Sequence, residues 1–176
     1  INLDSVALMS CTPAIGGLAK GQLVKEIDAL GGEMGKIADR TAVHFRLLNS
    51  SKGPAVQSSR VQCDKQLYRL AMKAVVEQQK RLHLRQALVE RIAVDGGRVA
   101  GVIDSTGFLY PARAVVITTG TFLNGLIHIG TFRTPAGRAG EIASVGLAES
   151  LRALGASDAR IILGSLARER GEPARA

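Results

Sequence analysis

A chain of 176 residues, 46% apolar and 22% charged, has the material for one domain with a real hydrophobic core and is not a disordered tail. Its 23 Lys and Arg against 15 Asp and Glu give a net charge of +8, which biases association toward polyanions such as RNA or a phosphate-bearing cofactor; an Arg-rich solvated surface explains the charge equally well. Aromatic residues make up only 3% and Trp is absent, against base-stacking platforms, and no run nears the roughly 18 apolar residues of a membrane span; with no signal-peptide order at Ile1 to Ser5, the expected location is the cytoplasm.

In chain order, Leu18, Leu23, Val24, Ile27 and Leu30 recur mostly three or four apart between Gly16 and Gly32. This predicts a helix opened by a glycine turn and stopped by Gly31-Gly32. Val43 to Leu48 reads as a short strand. A second helix is expected from Asp64 to Gln79, with Leu67, Leu70, Ala71, Ala74 and Val75 on one face and Ser58 or Ser59 as an upstream cap. The period then changes. Leu88 to Val94, the turn Asp95-Gly96-Gly97 and Arg98 to Ile103 predict a hairpin, followed after Gly107 by a short strand at Phe108 to Tyr110.

Ala114 to Thr118 is a continuous apolar run ending in Thr119-Gly120-Thr121, the pattern of a strand buried on both faces of a parallel sheet. A last helix spans about Ser144 to Leu154, closed by Gly155. Helix, meander and parallel strand together predict an α/β domain of nucleotide-binding type with a small antiparallel insertion. Ala167 to Ala176 crowds Arg, Glu, Ala and Pro without an apolar face and is expected to be disordered.

The segment from Ser10 to Gly21 carries the most chemistry. Cys11, just before a Pro and Gly turn that opens a helix, falls near the positive end of the helix dipole, where a thiolate is favoured. It suits a nucleophile or a flavin neighbour; a small buried cysteine is the plainer alternative. Gly16, Gly17 and Gly21 resemble a phosphate cradle at a helix N-terminus, although the spacing fits neither GxGxxG nor GxxxxGK[ST]. Lys52, in the turn Asn49 to Pro54, faces a phosphate or belongs to an ordinary surface loop, with Arg60 close in sequence.

Thr119 and Gly120 lie at the carboxyl end of the presumed parallel strand, where open α/β sheets bind ligands, and Gly137 to Glu141 is a glycine-flanked loop able to approach a cofactor. His128 reads as a strand residue rather than a general base. Cys11 and Cys63 cannot make a disulfide framework, and with no CxxC and with His44, His83 and His128 isolated, no metal site is expected. No Ser/His/Asp or paired-carboxylate set can be assembled. The residues alone indicate a nucleotide-binding α/β domain with a redox leaning.

Met9-Ser10-Cys11-Thr12-Pro13-Ala14-Ile15-Gly16-Gly17, Lys20-Gly21, Glu26 to Gly32, Ser51-Lys52-Gly53-Pro54-Ala55-Val56 and Gly120-Thr121-Phe122-Leu123-Asn124-Gly125 resemble the MnmG (GidA) family closely and in order, from residue 1 to about Arg160. The resemblance implies an FAD-binding, Rossmann-like fold of the glutathione-reductase kind. It also implies use of NADH and a folate one-carbon donor, homodimerisation, and work with the GTPase MnmE to install a carboxymethylaminomethyl-type group on the wobble uridine of tRNA. By the same resemblance, Val89 looks like a backbone contact to the adenine side of FAD and Ser144 another FAD contact; Cys11 is similar to the family's functional cysteine, expected near the isoalloxazine. Cys63 has no counterpart in the motif and is expected to be structural.

Thr12 stands where the family usually has Asn, and Gln57 where it usually has Arg. A family member opens with a strand, a GxGxxG-type turn, a helix and a second strand, and this chain starts just after that unit. Residues 1–164 are therefore expected to form a partial FAD-binding domain lacking its βαβ start, and 165–176 a divergent, disordered tail. Two other readings stand beside this one: a non-catalytic basic RNA-binding remnant, and another FAD or NAD oxidoreductase of the same fold.

Overall fold

The computed structural model describes residues 2–10 and 12–155. The described residues form two compact units that meet in sequence at Gln86 and Ala87.

In the first unit, β1 (Ala14–Gly16), β2 (Ala42–Leu48) and β3 (Ser58–Cys63) make an antiparallel sheet with β3 in the middle. Ile15 and Phe45 lie opposite Val61, whereas Gly16 and Arg46 lie opposite Arg60. Opposite residues share a face of the sheet and neighbours alternate, so Ile15, Phe45 and Val61 are on one face and Gly16, Arg46 and Arg60 on the other. Three helices accompany the sheet: α1 (Lys20–Ala29), α2 (Glu33–Arg40) and α3 (Lys65–Gln78). Ile37 and Ala38 of α2 and Tyr68 of α3 form a core with Val61 and Cys63, which places α2 and α3 on the Val61 face.

The glycine pair stops α1 as expected. The Gly31 N–H donates to Asp28 O and the Gly32 N–H to Ile27 O, with Gly31 at φ +85°, a double closure that a residue with a Cβ adopts only under strain. The chain then restarts at once as α2, a helix of eight residues that buries Ile37 and Ala38. The expected cap of the next helix needs correcting. Ser58 and Ser59 belong to β3, and Asp64 caps α3 instead: its carboxylate accepts the N–H groups of Gln66 and Leu67, each at 2.9 Å.

In the second unit, β4 (Val89–Asp95), β5 (Arg98–Asp104) and β6 (Leu109–Pro111) form the expected antiparallel meander in that order. Gly96 and Gly97, at φ +53° and +76°, make a two-residue turn of the kind whose twist matches the flanking strands. A second hairpin joins β7 (Leu126–Ile129) to β8 (Phe132–Pro135), with His128 a strand residue opposite Arg133. The final helix, α4 (Val145–Ala153), packs Leu147 and Ala148 against Leu123, with Val89, Ile92 and Leu151 around them.

Asp104 closes the β5–β6 loop. Its carboxylate accepts the Thr106 hydroxyl at 2.6 Å, the N–H groups of Thr106 and Phe108 at 2.9 and 3.1 Å, and the Tyr110 hydroxyl at 3.1 Å. The expectation of a parallel strand at Ala114 to Thr118 is not met: among the described residues the segment pairs with no strand. Val116 is 86% exposed. A strand buried on both faces needs neighbours to either side, and the described residues supply none.

Candidate functional site

Ser144 is the hub of the second unit. It stands at the N-cap of α4, but its side chain does not cap the helix; the hydroxyl donates to the Val89 carbonyl at 3.1 Å. Its backbone N–H donates to Phe122 O at 2.7 Å and its carbonyl accepts from the Asn124 N–H at 3.1 Å, with Leu123 as its parallel bridge partner. One buried residue thereby ties together the start of β4, the 3-10 turn Gly120–Phe122 and the first turn of α4.

Thr119 is the N-cap of that 3-10 turn, and its carbonyl accepts the Phe122 N–H at 3.1 Å. Its hydroxyl oxygen is buried without a hydrogen-bond partner among the described residues. A buried hydroxyl left unpaired is costly, by about 1–3 kcal/mol, which makes it a natural anchor for a ligand's polar group. Gly120 follows at φ +55°, with nothing within 4 Å of where a Cβ would stand.

The loop Gly137 to Glu141 folds down onto the same turn. The Thr121 hydroxyl donates to Gly137 O at 2.9 Å, and the Arg138 guanidinium lies 5.2 Å from the centre of the Phe122 ring while pairing with Glu141 at 2.9 Å. At α4 the Glu90 carboxylate sits where a Cβ on Gly146 would be, so the positive end of that helix already faces a protein carboxylate.

Val89, Thr119, Gly120 and Ser144 thus belong to one unit, and Ser144 touches Val89 directly. Gly16, Gly17 and Lys52 belong to the other. There the Gly17 N–H donates to Ser59 O at 2.9 Å, and a Cβ on Gly16 would run into the same carbonyl. The missing side chain of Gly16 lets β1 close on β3, and the Gly17 amide is committed to the same carbonyl. Lys52 is exposed in a turn held by Gln57, whose amide donates to Lys52 O at 3.1 Å. Cys11 lies outside the described residues.

Cys63 is buried in the first core, where desolvation pushes its thiol above the ordinary value; its Sγ–H points at Ala38 O at 3.7 Å. No group of His, Cys, Asp and Glu among the described residues is placed to hold a metal, and no described helix is long and apolar enough to cross a membrane. Sequence reasoning passed over Glu90, and it met Asn124 only as part of the Gly120 to Gly125 motif. Asn124 left a readable signal, since Asn before Gly tolerates the left-handed φ of +49° that it adopts.

Helices with antiparallel sheets, tied at Ser144 where a strand start, a glycine turn and a helix start meet, make this an α/β chain. The profile of the family described as glucose inhibited division protein A matches residues 1–172, and the chain belongs to that family. It is 60% identical over 168 residues to the tRNA uridine 5-carboxymethylaminomethyl modification enzyme MnmG of Geobacter metallireducens, covering 96% of this chain and 27% of that protein. The chain thus spans about a quarter of the length of such relatives.

The structure is similar to that of Aquifex aeolicus GidA, with a TM-score of 0.81 and 53% identity over 86% of this chain and 25% of that one. A GidA-related protein from Thermus thermophilus is more distant, with a TM-score of 0.50 and 25% identity over 68% of this chain and 46% of that one. The expected fold class, α/β of the FAD-binding Rossmann-like kind, stands on these matches.

Proposed function

We propose that this chain forms part of the flavin-binding region of a tRNA-modifying enzyme, one that installs the 5-carboxymethylaminomethyl group on wobble uridine. In this reading the whole protein is a cytoplasmic homodimer that binds FAD, uses NADH and a folate one-carbon donor, and works with the GTPase MnmE. The observation that carries it is the buried, partnerless Thr119 hydroxyl beside the open space at Gly120, one 3-10 turn from the Ser144–Val89 contact.

FAD, when bound, supplies the redox chemistry of the one-carbon transfer. The chain's residues bind and orient. Thr119 donates or accepts one hydrogen bond, Gly120 leaves room for the backbone to approach, and Val89 with Ser144 fixes the strand and helix ends on the adenine side. Gly16, Gly17 and Lys52 are assigned to phosphate contacts, and Cys11 to the neighbourhood of the isoalloxazine. The Gly17 amide is already bonded and the space beside Gly16 is filled by Ser59 O, so of the pair Gly17, open on its Cβ side, acts by giving room rather than by donating.

The test is the visible absorbance of the purified chain after incubation with FAD and desalting. Retained flavin, lost in Thr119→Val, is the expected result; a colourless wild-type chain sinks the assignment of this site. In the full-length protein, Cys11→Ser is expected to fold and to abolish uridine modification, read by mass spectrometry of digested tRNA.

A further inference from the structure

The first unit carries a charge arrangement that the flavin reading leaves unused. Arg46 of β2 and Arg60 of β3 are direct cross-strand partners. Side chains so placed have Cβ atoms about 4.5–5.5 Å apart, and like charges there are destabilising. A protein ordinarily relieves such a pair with a carboxylate, yet no Asp or Glu among the described residues forms an ion pair with either arginine. His44 and Gln62 form the next pair along the same face. None of these residues belongs to the core, which is built on the opposite face.

We propose that this outer face of the β1–β3–β2 sheet binds the phosphodiester backbone of RNA, with Arg46 and Arg60 gripping one phosphate between them. The proposal rests on the tRNA reading above and assigns part of the surface that receives the substrate. A phosphate removes the repulsion and satisfies two guanidinium forks, whose planar donors match its oxygens. A polynucleotide fits better than a dinucleotide cofactor. Cofactors sit in concave sites, and the cleft of this unit, about 230 Å³, opens on the other face among Ile15, Phe45 and Val61. The face presents no Phe, Tyr or Trp, and its two guanidinium groups match phosphate oxygens, so the contact is chiefly to backbone and indifferent to sequence.

The experiment is fluorescence anisotropy of a labelled tRNA transcript with the 176-residue chain over a series of salt concentrations. Arg46→Gln with Arg60→Gln is expected to weaken binding roughly tenfold per arginine and, with one phosphate released, to flatten the slope of log K against log salt by about 0.7 to 0.9. Lys65→Gln, on α3, leaves the slope unchanged. Without RNA at low salt the double glutamine variant melts no lower than wild type, since a repulsion has been removed.

A double glutamine variant that folds and keeps the wild-type slope overturns the proposal. So does one that loses retained FAD while binding tRNA as before, which would assign the pair to a cofactor phosphate. Should the glutamine variant fail to fold, Arg46→Lys with Arg60→Lys decides: the slope stays, affinity falls several-fold with the lost forks, and an unchanged affinity overturns the grip. These outcomes separate from the functional reading itself, because failure of the pair with flavin and tRNA binding intact removes only this surface, whereas a wild-type chain that binds no tRNA removes both.

Discussion

The two units hold their shape by different means. The first is built around side chains: Ile37 is fully buried, and Cys63 and Tyr68 are 2% and 3% exposed, with α2 and α3 meeting β3 through them. The second buries Leu123, Leu147 and Ala148, and its most specific restraints are polar, the four donors on Asp104 and the three bonds of Ser144. Apolar packing is strong and undirected, whereas hydrogen bonds are individually weak and fix direction. The unit that gathers four of the candidate cofactor residues is the one positioned by directed bonds.

Removing apolar volume from the first core is the most damaging way to test this contrast. Ile37→Ala is expected to cost about 2–5 kcal/mol, since a fully buried branched side chain leaves a cavity that short helices close poorly. Urea denaturation read through amide exchange of β3 and α3 measures it. A loss below about 1 kcal/mol would mean that this core does not organise the unit.

Next in size is a backbone effect in the second unit. A Cβ on Gly101 would overlap Tyr110 O and lie 3.0 Å from the Pro111 Cα, both on the paired strand. Gly101→Ala forces β5 away from β6 and is expected to cost about 1–3 kcal/mol. The clearest probe is exchange of the Ala112 N–H, which donates to Ala100 O at 3.0 Å. Unchanged protection there would contradict the overlap.

A matched pair of helix starts sharpens the comparison. Asp64 spends its side chain on its own helix, and Ser144 spends its side chain on a neighbouring strand. Asp64→Ala is therefore expected to fray the first turn of α3, at about 1 kcal/mol. Ser144→Ala, of similar size, leaves the α4 turn in place and loosens its tie to Val89, so that flavin retention falls more than helix content. Equal loss of helicity in both variants would erase the distinction.

What the sequence revealed follows the same division. Periodic apolar spacing found α1 and α3, the closing Gly155 marked the end of α4, and the Gly96-Gly97 turn located the β4–β5 hairpin, because local chemistry determines each. It passed over α2, which is short and follows the Gly31-Gly32 stop with no side-chain cap to announce it, and β1 and β3, which owe their pairing to contacts far apart in sequence. The run at Ala114 to Thr118 has a strand's composition and no strand's partners, since composition reports a preference and pairing requires a neighbour. At the site, Val89 and Ser144 came from family resemblance alone. Nothing local in either residue announces that a serine hydroxyl 55 positions away will bond a strand carbonyl.

The smallest expected effect concerns acid. The Asp104 carboxyl is held below the ordinary carboxylate value, chiefly by the Thr106 hydroxyl and further by the N–H groups of Phe108 and Thr106 and the Tyr110 hydroxyl. A depressed value in the folded state means that the unfolded chain takes up the proton first. The stabilisation is thus complete above the ordinary carboxylate range and drains away as pH falls from that range through the lowered value. Asp104 lies opposite Val89 in the β4–β5 register, so the loop it closes borders the strand end that Ser144 holds. Asp104→Asn keeps the shape but cannot change charge, and it loses one of the acceptor oxygens. It is expected to be slightly less stable than wild type at neutral pH and to show a shallower fall in melting temperature between mildly and strongly acidic buffer. Parallel acid profiles for the two proteins would mean that the four donors serve geometry alone and that the second unit's polar restraints carry no charge dependence.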